Sequence, residues 1–537
     1  MKNLWSDIPA GVLIALLAVL TLTLRGFMPY DETRYIAVAW EMWQSHDWLV
    51  PTINGNVYAD KPPLLFWLVN LGWHLSGVNA WWPRSLPFIF ALLNMFLARH
   101  IACSLWPDRA GLRQAVPLML MSVPFWFAYT TPFMFDMAQT FFVLSAVAGL
   151  TLYRGNNFTG FIMFGVATGL GLLLKGPVIF TYVLPLAVTI PLWHEHYAPE
   201  HRFFLWKGIS IGLLISFSIF ALWLIPVILT LGVEQVRALF LHQTADRMLH
   251  SSAHARPIWW YLPFLPLMFF PWVCKVSFWK SFHTGQDRTE RKKRLFLLLW
   301  IIPSFIFLAA INAKQLHYLL PLLPPLVIGM AVLLTDQRNG VNPMDNNIAG
   351  FMLILSGLVF YLYRALTHHA HNAWIDQISP LFPVIAIIAG LLVICIKSED
   401  QYHSIKILAF GTLVILYTAY TALLTAPRPF AGIDAFSQML AALQKNNVPL
   451  AHLGSHREQF AFPGRLTRPL DKVTSTGIRQ WAATHPDGYV ITLLDKSDLQ
   501  KKINTVYSQP YRFRQNLVLI TSQDILNGAY AFKSSTK

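Results

Sequence analysis

The sequence predicts an α-helical protein that crosses the membrane many times and carries a small α/β soluble domain at its C-terminal end. Three observations lead there. Hydrophobic residues make up 55% of the 537 positions and charged residues 12%, and mean hydropathy is +0.46, beyond the apolar share of an ordinary soluble domain. Apolar windows of roughly 20 residues, the length that spans a bilayer, recur up to position 425. Past that point apolar density falls and short β-branched runs replace the long windows.

About 13 spans are expected from these windows. They lie near 8–27, 83–106, 114–130, 134–153, 158–175, 177–193, 208–231, 258–279, 295–312, 316–335, 348–364, 378–396 and 405–425. The first lacks a basic flank and a small-residue cleavage site, so a retained anchor is expected instead of a removed signal peptide. Cys103, Cys274 and Cys395 fall in or beside apolar stretches without metal-ligand or CxxC spacing, which argues against a disulfide framework.

Loop charge orients the bundle. Arg288, Arg291, Lys292, Lys293 and Arg294 crowd one loop, and basic loops stay cytoplasmic. Counting outward puts Arg109, Arg113, Arg154, Arg202, Lys207, Arg338, Lys397 and Lys406 on the same side. The net charge of +15 is then topological, and nucleic acid is not an expected partner. The loop at 28–82, Asp136, Lys175, the loop at 232–256, Lys314 and the tail at 426–537 fall on the exported side.

Residues 1–425 thus read as the transmembrane domain and 426–537 as an exported α/β domain. Within the latter, 433–445 reads as an amphipathic helix, and 488–495 and 516–522 as strands. It contains no Gly-rich phosphate loop, metal signature or triad spacing, so a capping or recognition role is expected. No internal repeat is evident.

The exported polar residues carry the chemistry. Asp31 and Glu32 follow the first span, where a carboxylate serves either as a general base or as a helix-capping acid. Lys61, beside Asp60 and ahead of Pro62 and Pro63, suits a phosphate at headgroup level, with ordinary snorkelling as its plain alternative. Asp136 interrupts an apolar stretch and needs a wet cavity or a partner. Lys175 closes a glycine-dotted span, Arg247 and His254 sit in a later loop, and Lys314 and Tyr318 open another helix end. A tyrosine there is often an interfacial belt residue. Acids and cations gathered on one face suit group transfer from a lipid phosphate: the cations stabilise the departing phosphate while a carboxylate takes the acceptor's proton.

The segment DETRY, followed by EM, DWLVP, NG, Y and KPPLLFW, resembles the first exported loop of the bacterial lipid A aminoarabinose transferases and the related protein O-mannosyltransferases. These are integral-membrane glycosyltransferases of the GT-C type. The resemblance continues through FDM at Asp136, LLLKGP at Lys175, HARPIWWYLPFLPLMFFPW after His254 and KQLHYLLPLLPP around Tyr318. It implies a polyprenyl-phosphate-linked sugar as donor, a lipid or glycan acceptor such as lipid A, and inversion by direct displacement. It also implies a multi-pass protein of the bacterial inner membrane, with its active site and C-terminal domain periplasmic.

By the same likeness Asp31 is the acceptor-activating base, with Asp136 as a second catalytic carboxylate lining the same cavity. Lys61 and Arg247 hold the phosphate, and Glu32, Lys175, Lys314 and Tyr318 line the substrate site. The chain departs from its relatives where they carry Glu before the loop lysine and a Glu-His pair before the arginine: here stand Asp60 and QTADRM. No cofactor is certain, and a divalent metal stays open, with Asp60, His242 and His254 as its weak candidates. A protein hydroxyl as acceptor, a lipid or sugar transporter and a non-catalytic envelope assembly protein are the alternative readings.

Overall fold

The computed structural model describes residues 8–109, 111–153, 157–237, 255–281, 288–336, 342, 344–367, 378–425, 432–454, 459–495, 504–512 and 515–528. The expected Arg247, His242 and His254 lie outside these residues.

The chain opens with α1 (Ile8–Leu24) and then folds most of its first exported loop into α2 (Asp31–Ser45), the hairpin β1 (Thr52–Ile53) and β2 (Asn56–Val57), and α3 (Leu64–Ser76). Acids in the first turn of α2 suit the positive helix end, and the helix stops where His46 adopts a left-handed conformation, φ 54°. Asn54 and Gly55 both take positive φ, 53° and 72°, the geometry a tight two-residue hairpin requires.

The bundle follows as α4 (Trp81–Leu105), α5 (Leu112–Met121), α6 (Pro124–Thr130), α7 (Asp136–Thr151), α8 (Thr159–Lys175), α9 (Val178–Val188), α10 (Arg202–Leu231), α11 (Arg288–Ala310), α12 (Leu323–Leu334), α13 (Asn347–Thr367), α14 (Leu381–Cys395) and α15 (Gln401–Thr425). Its closest helix crossings use glycine. A Cβ on Gly165 of α8 would lie 2.6 Å from the Gly212 carbonyl oxygen of α10; small residues let backbones approach where lipid supplies no hydrophobic drive. Phe203, Leu222 and Leu229 on α10 are 78–80% exposed, a face made for acyl chains instead of water.

Among the described residues six helices are long and apolar enough to cross a membrane, and other apolar helices are only 10–17 residues long. The expectation of about 13 spans is therefore not confirmed by helix length. Proline explains several differences from the expected windows. The stretch 258–279 is not one helix: Pro263, Pro266 and Pro271 divide it into Ile258–Phe264 (3-10), Leu265–Phe269, Trp272–Cys274 (3-10) and Val276–Lys280, because each removes an N–H and crowds the preceding turn. The window 114–130 breaks at Ser122 and Val123 before Pro124, and 316–335 begins as the 3-10 segment Leu316–Leu322.

One end of the bundle collects basic-loop residues. Arg109 pairs with Glu290 at 3.5 Å and Asp336 at 3.3 Å, and Lys293 with Glu195 at 3.5 Å. These belong to loops that the sequence assigned to a single side.

The C-terminal part is a five-stranded mixed sheet of β3 (Leu450–Leu453), β4 (Asp471–Val473), β5 (Tyr489–Asp495), β6 (Tyr507–Arg512) and β7 (Gln515–Thr521), in the order β4-β3-β5-β7-β6. β3 runs parallel to β4 and β5, and β7 antiparallel to β5 and β6. Alternation along the strands builds a core on each face: Ile491, Leu517 and Leu519 pack with α16 (Asp434–Lys445), and Val490, Val518 and Ile520 with α17 (Ile478–Thr484) and α18 (Ser522–Asn527).

This sheet is anchored to the first loop. Phe462 stacks on Trp73 with ring centroids 5.1 Å apart and planes 5° apart, and it meets Phe27 and Trp40 edge-on. Trp40 Nε1 donates to the Leu466 carbonyl at 2.9 Å, Asn54 Nδ2 to the Leu470 carbonyl at 3.0 Å, and Leu470 N returns a bond to Asn54 Oδ1 at 2.9 Å. The back of α2 therefore rests on the segment 460–470.

Candidate active site

Three parts of the chain meet at the front of α2. The first is α2 itself, where Arg34 Nη2 donates to Asp31 Oδ1 at 2.6 Å and Arg34 Nη1 lies 3.7 Å from Asp60 Oδ2. The Asp31 side chain keeps 45% of its surface accessible while Arg34 keeps 18%. Burial works against the Arg34 charge, yet Tyr58, Tyr35, Asp31 and Asp60 together hold its pKa above the ordinary arginine value. Burial likewise raises the Tyr35 phenol, which stays protonated.

The second part is the pair of facing helix ends. Asp136 opens α7, where the helix dipole favours an acid, and Lys175 closes α8, where it favours a cation. Gly176, at φ 82°, ends α8 immediately after the lysine. Lys175 Nζ lies 2.5 Å from Asp136 Oδ1, and both side chains are buried. This ion pair is the partner that the sequence demanded for a carboxylate in an apolar stretch.

The third is the 3-10 segment Leu316–Leu322. Tyr182 donates its hydroxyl to the Tyr318 carbonyl at 2.7 Å, and Tyr261 donates to the Gln315 carbonyl at 3.2 Å. Lys175 Nζ stands 5.0 Å from the Tyr318 ring centroid. His317 packs its ring 4.8 Å from Tyr318 and 6.0 Å from Tyr129. The charges of Asp136, Lys175, Asp31 and Lys61 all reach His317, and Lys61 is near enough to act on Asp136 as well.

The structure thus brings Asp31, Asp60, Lys61, Asp136, Lys175 and Tyr318 into one neighbourhood. Glu32 and Lys314 have other partners. Glu32, 2% exposed, accepts from Arg25 at 2.7 Å, from Met28 N at 2.6 Å and from Phe133 N at 2.6 Å. With Arg25 also donating to the Thr131 carbonyl at 2.9 Å, this pair fixes the turn that leads into Asp136. Lys314, 2% exposed, donates to the carbonyls of Arg256, at 2.9 Å, and Ile311. It closes a loop junction. Among the described residues no three His, Cys, Asp or Glu side chains converge as a metal site; Asp60 Oδ2 lies 3.7 Å from Arg34 Nη1.

Sequence reasoning passed over Arg34 and His317. Arg34 lies three positions after Asp31, the spacing that brings side chains together on a helix, and that was a usable signal. His317 was hidden by its neighbour Tyr318.

Comparison with known proteins places this arrangement. Residues 7–242 match the family described as dolichyl-phosphate-mannose-protein mannosyltransferase. The undecaprenyl phosphate-alpha-4-amino-4-deoxy-L-arabinose arabinosyl transferase 2 of Pseudomonas fluorescens (strain Pf0-1) is 24% identical over 514 residues, 91% of this chain and 88% of the relative. The protein of the same description from strain Pf-5 is 28% identical over 377 residues, 67% of this chain and 62% of the relative. The crystal structure of ArnT from Cupriavidus metallidurans bound to undecaprenyl phosphate superposes with a TM-score of 0.75 at 18% identity, covering 100% of both chains. Its apo form gives 0.76 at 17% identity, over 98% of this chain and 99% of that one. The chain therefore has the fold of these ArnT structures and resembles the aminoarabinose transferases and, over its first part, the protein mannosyltransferases.

Proposed function

We propose that this enzyme moves a sugar from undecaprenyl phosphate to lipid A or another envelope acceptor at the periplasmic face of the inner membrane. One observation carries the reading: Asp136, Lys175 and Tyr318, scattered along the sequence, meet with Lys175 Nζ 2.5 Å from Asp136 Oδ1 and 5.0 Å from the Tyr318 ring centroid. The relatives' names give the donor class, and the ArnT crystal holds undecaprenyl phosphate within a matching fold.

In this reading the acceptor hydroxyl oxygen attacks the anomeric carbon as the carbon–oxygen bond to phosphate breaks. The bond's electron pair leaves with the polyprenyl phosphate, the acceptor's proton passes to Asp31, and configuration inverts because displacement is direct. Lys61 and Arg247 offset the charge gathering on the leaving phosphate. Asp136 holds Lys175 in place, and Tyr318 walls the sugar. Residues 1–425, with the loop 28–82, form the catalytic membrane domain, and residues 426–537 a periplasmic domain that braces α2.

Mass spectrometry of lipid A from cells with the wild-type gene, without it, and with Asp31→Asn tests the proposal. A sugar-sized increment present only with the wild type supports it; an increment that survives Asp31→Asn removes the assigned base. The family match to protein mannosyltransferases favours one second reading, a protein hydroxyl as acceptor. Unchanged lipid A together with a lost glycoprotein signal would select it.

A further inference from the structure

We propose that the groove between α14 and α15 holds an anionic phospholipid, one acyl chain lying along the groove and the headgroup phosphate resting against Lys406 and His403. The inference is independent of the donor and acceptor proposed above, because it concerns a face of the bundle that the candidate site does not use.

The groove is a feature of the two helices' geometry. Ile388, Leu392 and Ile396 on the α14 side and Phe410 and Val414 on the α15 side border a cavity of about 480 Å³, within the range of roughly 300–1,000 Å³ typical of ligand sites. They recur every four positions, so each helix supplies one continuous apolar stripe. Gly411 lies at the seam, where a Cβ would meet Val393 Cγ2 at 2.2 Å. Its missing side chain lets α15 close on α14 and gives the groove a floor. The five apolar side chains are 42–53% exposed, a surface that acyl chains cover far more cheaply than water.

Length and polarity say which molecule fits. From Ile385 to Ile396 the groove runs about 16 Å at about 1.5 Å per residue. That is half of a hydrocarbon core of roughly 30 Å, the depth of one leaflet. Both polar lining residues, His403 and Lys406, sit at one end, beside the connection at 396–400, and no acid lines the groove. Lys406 Nζ lies 4.8 Å from the Tyr402 ring centroid, a contact that aims the ammonium without neutralising it. Glu399 N donates to His403 Nδ1 at 3.3 Å, which puts the proton of a neutral imidazole on Nε2 as a donor. A cation and an N–H at the head of a leaflet-deep apolar trough match a phosphate with an acyl chain beneath it, and the positive charge favours an anionic headgroup.

The polar end is also fixed from inside. Ser404, fully buried on the inner face of α15, bonds to the buried Lys275 ammonium, which reaches Asn346 Oδ1 at 3.1 Å as well. A site ordered before its ligand arrives loses little freedom on binding.

The test uses the full chain, purified in detergent and stripped of endogenous lipid. Its probes are dioleoyl phosphatidylglycerol and dioleoyl phosphatidylcholine, which share acyl chains and differ in headgroup charge. Native mass spectrometry of the first lipid retained should show phosphatidylglycerol held about fivefold more tightly by the wild type, the effect of one lysine at an anionic interface. Lys406→Gln should bring that ratio to about one, and Lys406→Arg should keep it. Ile388→Trp, which fills the trough from its exposed side, should lower retention of both lipids at least about fivefold. Equal retention of the two lipids by the wild type overturns the proposal, as does a Lys406→Gln protein that keeps the preference. So does a Lys406→Arg protein that melts like the wild type and has lost it, or wild-type retention in Ile388→Trp. A dimer in the same spectra that carries no phosphatidylglycerol gives the groove to a second copy of the chain and overturns it too.

Discussion

Arg34 stands between two carboxylates, with one guanidinium nitrogen 2.6 Å from Asp31 Oδ1 and the other 3.7 Å from Asp60 Oδ2. A planar cation with a rigid fork can orient two acids at once, and a lysine cannot reproduce that geometry. Asp31 is consequently held in one orientation.

Replacing the fork should therefore cost turnover more than stability. Arg34→Lys is expected to lower kcat by roughly one to two orders of magnitude, the scale of a misplaced catalytic group, with the melting temperature little changed. Steady-state kinetics on purified protein, paired with thermal unfolding, checks this; equal kcat in variant and wild type would rule the positioning role out.

Glu32 should behave in the opposite way to its neighbour. It is buried against Arg25 at 2.7 Å and accepts two backbone N–H groups, and stripping one partner from a buried ion pair costs about 3–5 kcal/mol. Glu32→Ala is expected to lower the unfolding temperature sharply, whereas Asp31→Asn, on a side chain 45% accessible, should leave it near the wild-type value while abolishing transfer. Scanning fluorimetry on both variants separates the two acids.

Phe462 joins the C-terminal sheet to the aromatic back of α2. Truncating a buried phenylalanine typically costs about 3–5 kcal/mol, and here the loss falls on the contact between the two parts. Phe462→Ala should accelerate proteolysis near residues 426–431 and reduce turnover, while the sheet keeps its own hydrogen-exchange protection. Unchanged proteolysis would mean that Trp40 and Asn54 hold the contact alone.

His452, on β3 and 4% exposed, gives the sheet a pH dependence. Burial, against hydrogen bonding from the Gly454 and Leu453 backbone, lowers its pKa from 6.5 to about 4. A group with a depressed folded pKa contributes its full stability above the unfolded value and loses it as pH falls, because the unfolded chain takes up the proton first. Roughly 3 kcal/mol should disappear between pH 6.5 and about 4. Hydrogen exchange of β3 and β5 at pH 7 and pH 5 measures it, and His452→Gln should flatten the response.

Legibility in the sequence followed physical locality. The amphipathic helix at 434–445 and the strands at 489–495 and 515–521 were readable because periodicity and β-branching are local signals. The short parallel strands at 450–453 and 471–473 were not, since their pairing depends on a distant β5. Proline-split stretches such as 258–279 kept enough hydropathy to pass for single spans, because hydropathy does not register a missing N–H. In the site, the Asp136–Lys175 pair was signalled by the expense of charge in lipid. The diversion of Lys314 to the carbonyls of Arg256 and Ile311 depended on a loop junction that spacing cannot reveal.

The hydrogen bonds from Trp40 and Asn54 to the Leu466 and Leu470 carbonyls bear on anyone wishing to shorten the chain. A truncation at position 425 would strip the Trp40 indole N–H and the Asn54 carboxamide of their partners and bare Trp73 and Phe27, so residues 1–425 would not keep α2 packed in this way by themselves. Grafting a foreign tail in its place would need a matching aromatic plug and two well-placed carbonyls before α2 could stand as it does now.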